Sequence, residues 1–176
     1  MTIKEFFKSK TFRCIVVLLC IALVSGGLLA IMNDLLHVSD EERVLRTVKN
    51  IYGQEINYEV VECDFATDYG YVDNVYKLED GNYLVKATGK NGYKSGTISI
   101  WCVMVYDNGV FTGVDSVSIA DNEKQTLMSK FTKDVLSRYK GKDKSEVVVS
   151  GATYSATAMN NAVNTVLAYA ASKEVA

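Results

Sequence analysis

From Cys14 to Met32 the chain reads CIVVLLCIALVSGGLLAIM, without a single charged side chain. No other stretch limits its folding options so strongly. About 20 apolar residues in a helix cross the hydrocarbon core of a bilayer, and a helix satisfies its own backbone hydrogen bonds where no water is present. The run is expected to span a membrane. Lys4, Lys8, Lys10 and Arg13 precede it with one acid, Glu5, whereas Asp34, Asp40, Glu41 and Glu42 follow. The positive-inside rule then places the N-terminus in the cytoplasm and the remainder outside. A cleaved signal peptide is the alternative, but its apolar region is usually only about 7–15 residues, and no small-x-small cleavage pattern follows. Cys20 comes after Leu18-Leu19, where a lipoprotein signal requires a small residue. The expected organisation is a cytoplasmic N-terminus and transmembrane anchor over 1–36, then one extracytoplasmic domain over 37–176. One span without a central charge forms no ion pathway by itself.

The rest of the composition narrows the function. A length of 176 residues suits one domain plus an appendage. With a net charge of -2 and lysines interspersed among acids, the chain has no basic footprint for nucleic acid. Cys14 and Cys20 lie in the apolar run; Cys63 and Cys102 lie in the domain, as a disulfide or as two buried thiols. No Cys-x-x-Cys spacing points to zinc or an iron–sulfur cluster. His37 is the single histidine and sits just past the anchor, so a nucleophile and histidine pair in the domain has no candidate base.

Ser39-Asp40-Glu41-Glu42 reads as a helix start with a capping box. The helix is expected to continue to about Tyr52, stop at Gly53, and present Val44, Leu45, Val48 and Ile51 on one face. Two hairpins follow: Tyr71–Leu78 with Tyr83–Thr88 across Glu79-Asp80-Gly81-Asn82, and Thr97–Tyr106 with Val110–Ile119 across Asp107-Asn108-Gly109. Both faces of Thr97–Tyr106 are apolar, so it is expected at the centre of a sheet covered on both sides. Leu127, Phe131, Val135 and Leu136 have helical spacing within 123–139. Glu146–Val149 reads as a strand and Met159 to Ala170 as the apolar face of a last helix. The fold class is α+β: an N-terminal transmembrane helix, then an antiparallel meander flanked by helices.

At the junction of that last strand and helix stands Ser150-Gly151-Ala152-Thr153-Tyr154-Ser155. A helix N-terminus presents free N–H groups and the positive end of the macrodipole, a suitable place for a phosphorylated ligand. Thr153 or Ser155 as a plain N-cap is the simpler alternative. The string resembles the flavinylation motif of the FMN-binding domain family, as found in the G subunit of RNF-type electron transport complexes and the C subunit of sodium-pumping NADH:quinone reductases. There Asp-x-x-Ser/Thr-Gly-Ala-Thr carries FMN on its last threonine through a phosphoester. The resemblance implies that Thr153 is the acceptor, with Ser150, Gly151 and Ala152 as the small residues that let the phosphate and a flavin transferase approach. The family's aspartate falls on Val147, with Glu146 one residue earlier.

Further partial matches come in the same order. Leu28-Leu29-Ala30-Ile31-Met32-Asn33 is similar to the family's membrane exit. Gly92-Tyr93-Lys94-Ser95-Gly96-Thr97-Ile98 is similar to its Gly-Tyr-x-Gly-x-Ile lead-in to a strand. Glu123-Lys124-Gln125-Thr126-Leu127-Met128 resembles Glu-Thr-Pro-Gly-Leu-Gly without the proline and glycines, and reads as a helix start capped by Asn122. By this resemblance the chain is a membrane-anchored carrier of covalent FMN, matured by a flavin transferase and associated with other subunits of an RNF-type complex. A stand-alone flavinylated carrier or reductase, and a cofactor-free module of the same fold, are the alternatives. Tyr93, Tyr154, Ser155, Glu123, Thr126 and Leu127 are the expected neighbours of the cofactor. Leu127 also suits a core position and Glu123 a solvated helix start. Trp101 fits either a flavin stack or, preferably, the core of the central strand.

Overall fold

The structure is a computed structural model that describes residues 10–36, 39–120, 127–141 and 146–174. His37, Asn122, Glu123 and Thr126 lie outside the described residues. The chain divides into two compact units, one ending at Arg43 and the other running from Val44 onward.

In the first unit, helix α1 spans Lys10–Leu36. It continues through Gly26-Gly27, with the Ser25 hydroxyl donating to the Ala22 carbonyl at 3.2 Å. Ile15, Leu18, Leu19, Leu23, Val24 and Leu29 are all exposed. A helix whose described side chains are apolar all round and exposed suits lipid. Phe12–Asn33 is the one candidate span among the described residues, long and apolar enough to cross a membrane as an anchor or as a signal sequence.

Helix α2 spans Asp40–Tyr52. The Glu42 N–H donates to Ser39 Oγ at 3.2 Å, which is the expected cap, and the Gly53 N–H closes the last turn on the Lys49 carbonyl at 2.9 Å. Val44 and Val48 are fully buried, but Leu45 is 40% exposed. One residue is about 100° around a helix, so Leu45 leaves the face that its neighbour Val44 shares with Val48.

Strands β1 (Tyr58–Val61), β2 (Phe65–Ala66), β3 (Gly70–Leu78), β4 (Tyr83–Gly89), β5 (Ile98–Asp107) and β6 (Val110–Ile119) build one sheet. Its order is β1-β3-β4-β5-β6, with β2 also paired to β3. All pairings are antiparallel and both expected hairpins hold; β5 is an interior strand between β4 and the edge strand β6, and the middle of the sheet is β4. The short β1 and β2 have too little alternation to stand out in sequence. They take their conformation from the β3 edge.

After β6 come a 3-10 turn, Met128–Lys130, and helix α3, Lys133–Ser137. The continuous helix expected across 123–139 is interrupted, because Leu127 is left-handed at φ 68 and Phe131 and Thr132 lie outside both helical pieces. Helix α4 spans Thr153–Glu174.

The sheet separates two cores. On one side Val75, Val85, Ile100, Cys102, Met104 and Phe111 meet Met159, Ala162, Val163 and Val166 of α4. On the other, Tyr76, Leu84, Trp101 and Val103 meet Val44 and Val48 of α2. Burial raises the pKa of both domain thiols. Both are free cysteines, Cys102 buried and Cys63 half-buried, so the expectation of two buried thiols holds for Cys102 alone.

Glu146–Val149 corrects another expectation. Val147 and Val149 are buried and Val148 is 82% exposed, as in a strand, yet the segment joins no ladder. Its backbone is clasped by Asn160 of α4: the Val147 N–H donates to Oδ1 at 3.0 Å and Nδ2 donates to the Val147 carbonyl at 3.2 Å. One amide thereby replaces a sheet neighbour. Asn160→Ala is expected to lower unfolding free energy by about 2 kcal/mol, since it leaves two partly buried backbone groups unpaired. Urea titration checks this, and an unchanged midpoint would remove the clasp from the account.

Candidate functional site

Val149 to Ala152 form a tight turn in which the Ala152 N–H donates to the Val149 carbonyl at 3.0 Å. Its third residue, Gly151, has φ +71, a conformation that non-glycine residues adopt at a cost of about 1–2 kcal/mol. The first intrahelical bond of α4 runs from the Ala156 N–H to the Ala152 carbonyl at 2.8 Å. Ala152 therefore occupies the capping position, and neither Thr153 nor Ser155 is the N-cap. Alanine is a poor cap. The threonine is the first helical residue and is exposed, Ser155 is buried, and Tyr154 is 64% exposed.

Two other segments converge on this turn. The first is the loop after β4, where Gly92 and Gly96 close on each other through a Gly92 N–H bond to the Gly96 carbonyl at 2.8 Å. Asn91, Lys94 and Ser95 all have positive φ, a concentration of uncommon backbone that marks a constrained loop. Asn161 Nδ2 of α4 donates to the Lys90 carbonyl at 2.8 Å and fixes this loop to the helix. Consequently the Tyr93 and Tyr154 rings meet edge to face, 6.1 Å between centroids, and Lys94 Nζ lies 5.4 Å from the Tyr93 ring. Asn91, Gly92, Tyr93, Lys94, Ser95 and Tyr154 surround a hollow of about 480 Å³.

The second is the 3-10 turn Met128–Lys130. Lys130 Nζ donates to the Ser150 carbonyl at 3.0 Å, and a side chain on Gly151 would begin 2.6 Å from that nitrogen. Leu127, 47% exposed, begins this turn by accepting the Lys130 N–H at 3.0 Å.

The structure thus gathers Ser150, Gly151, Ala152, Thr153, Tyr154, Ser155 and Tyr93 around one end of α4, with Leu127 leading the adjacent turn. Trp101 does not join them. It is buried on the α2 side of the sheet, 6.1 Å from the Tyr76 ring, so the core reading applies. A larger hollow of about 900 Å³ involves Thr67, Tyr69, Asn164 and Ala168. It lies some 11 residues along α4 from Thr153, ~16 Å at the helical rise, and contains none of the motif residues. Lys130, Asn160 and Asn161 are the site residues that sequence reasoning missed. Lys130 is read as part of a helix there, and nothing local links it to Ser150.

An exposed hydroxyl, a turn stripped of side-chain bulk, a lysine and two aromatic rings form the kind of place a phosphorylated aromatic cofactor fits. The family model of the FMN-binding domain matches residues 92–168, which include the Tyr93 loop, Lys130, the tight turn and most of α4. By that match residues 92–168 are similar to the FMN-binding domain family. Neither a curated protein nor a solved structure matches the chain.

Proposed function

We propose that the protein is a membrane-anchored electron carrier with FMN joined covalently to Thr153 through a phosphoester. The observation that carries the reading is the position of Thr153: exposed, first in a 22-residue helix, and two residues after the left-handed Gly151 inside the family-matched segment. FMN, when bound, supplies one- and two-electron redox chemistry. The chain's own residues anchor and orient it. Thr153 Oγ1 provides the covalent link, Ser150, Gly151 and Ala152 leave the approach open, and Ser155 completes the first turn of α4. Tyr93 and Tyr154 border the ring, with Glu123, Thr126 and Leu127 as further neighbours. A covalent tether prevents loss of the cofactor on the outer side of a membrane, where the domain is placed by the charge asymmetry around α1. Maturation requires a flavin transferase.

The assembly proposed for this carrier is an RNF-type ion-translocating complex, with the other subunits supplying electrons and the ion path. A stand-alone carrier is the second reading, favoured by the left-handed Leu127 and the missing glycines and proline in its segment. Two measurements test these readings. Co-expression with an active flavin transferase should give a fluorescent band on a denaturing gel under ultraviolet light; a dark band, with a control substrate labelled, would sink the covalent link. Purification from native membranes should recover RNF-type partners, and recovery of the flavinylated chain alone would decide for the stand-alone carrier.

Trp101→Phe is expected to leave flavin absorption unchanged while lowering stability by about 1–2 kcal/mol through lost core volume. A shifted flavin spectrum in this variant would contradict the placement of Trp101 on the opposite side of the sheet.

A further inference from the structure

We propose that Lys130 is the residue that binds the phosphate of the flavin linkage, an inference that rests on the Thr153 reading above. An ammonium carries three donors, and the Ser150 carbonyl takes one of them at 3.0 Å. Among the described residues no carboxylate pairs with Lys130, whereas Lys140 is bound by Asp115 and Arg138 by Asp134. Its remaining donors are available to an anion. The lysine reaches the turn from a separate segment, since its own 3-10 turn is closed by the Phe131 N–H on the Met128 carbonyl and the Lys130 N–H on Leu127.

This placement assigns Gly151 a second requirement beyond its φ. A Cβ there would stand 2.6 Å from Lys130 Nζ, so any side chain at 151 displaces the cation. A phosphodiester keeps one negative charge when its oxygen is bonded to threonine, and an ammonium already resting against the neighbouring carbonyl meets that charge with little reordering. In the linking reaction the Thr153 oxygen gains the bond to phosphorus and loses its proton, while the phosphoanhydride of the flavin dinucleotide donor breaks and its nucleoside monophosphate leaves. Lys130 holds the phosphate as charge accumulates on it and takes no part in the covalent change.

The test compares wild type, Lys130→Gln, Lys130→Arg and Thr153→Val, each full length in detergent with purified flavin transferase and its flavin dinucleotide substrate. Losing a charge-assisted hydrogen bond should slow label incorporation about ten-fold in Lys130→Gln, and Lys130→Arg should stay within about three-fold of wild type. The phosphorus-31 resonance of the labelled protein should move in Lys130→Gln and return towards its wild-type position in Lys130→Arg. A role confined to bracing the turn would change melting of the unlabelled protein and leave that resonance in place. Lys130→Gln labelling at the wild-type rate with an unmoved resonance overturns the assignment to Lys130 alone. Wild type that takes up no label, or Thr153→Val that does, overturns the underlying reading as well.

Discussion

Thr153→Val is expected to abolish flavin fluorescence on a denaturing gel after co-expression with the transferase, while Thr153→Ser keeps the band. Valine preserves the branched shape at the first position of α4 and replaces only Oγ1, the atom of the proposed phosphoester link, with a methyl group. The side chain is exposed, so the fold should tolerate the change within about 0.5 kcal/mol, the usual range for surface positions. Loss of label with unchanged melting separates chemistry from folding. If Thr153→Val stayed fluorescent, the link would belong to another hydroxyl, and Ser150 is the exposed one in the same turn. The capped-helix alternative makes the opposite forecast: no label in either protein. It already lacks structural support, because alanine occupies the capping position.

The second large effect concerns a residue that carries no chemistry. Gly89 ends β4 where the backbone of α4 packs closely on the sheet. A Cβ built there meets the Ala158 carbonyl oxygen at 2.0 Å, the Ala162 nitrogen at 2.4 Å and the Ala162 Cα at 3.0 Å. These are backbone atoms, so no rotamer relieves the overlap. Gly89→Ala must lift α4 from the sheet, and with it Met159, Val163 and Val166, all fully buried. Overpacking that displaces backbone costs about 3 kcal/mol or more, a large share of the roughly 5–15 kcal/mol that holds a domain together. Thermal melting followed by circular dichroism should show a far lower midpoint and, because α4 carries Thr153, reduced flavinylation. Gly81→Ala is the contrast: the turn is open to solvent around it, and the positive φ of 86 limits its cost to about 1–2 kcal/mol. Equal melting of the two variants would show that the close approach does not bear on stability.

Legibility in the sequence followed from how local each signal is. The apolar run, the Ser39 cap, the Asp-Gly and Asn-Gly turns and the four long strands are encoded within a few neighbouring residues, and they lie where their patterns put them. Other features depend on partners distant in the chain. Phe111, Val114 and Val117 of β6 share the α4 face at intervals of three, which strand alternation forbids. Two register shifts against β5 allow it, pairing Met104 with Val114 and Cys102 with Val117 while extra residues are accommodated between. A third shift lets Val72 and Val75 share that face on β3. Bulges of this sort leave no periodic trace. Likewise, the helical spacing over 127–139 is real, but Leu127 is left-handed and the 3-10 turn it leads carries Lys130 to Ser150.

What the sequence by itself determined is the set of local commitments: a membrane-length helix, an antiparallel meander, a final helix, and a small-residue turn ending in Thr153. The tertiary structure decided which of these face one another. Trp101 belongs with α2, because side chains alternate across β5 and the neighbouring face is filled by α4. The Tyr93 loop meets Tyr154 because Gly89 and Ala158 permit close approach and Asn161 holds the Lys90 carbonyl. Lys130 meets the turn because a left-handed residue breaks the helix that its neighbours' spacing suggests. Local chemistry selects elements; the close packing of distant backbones selects the site.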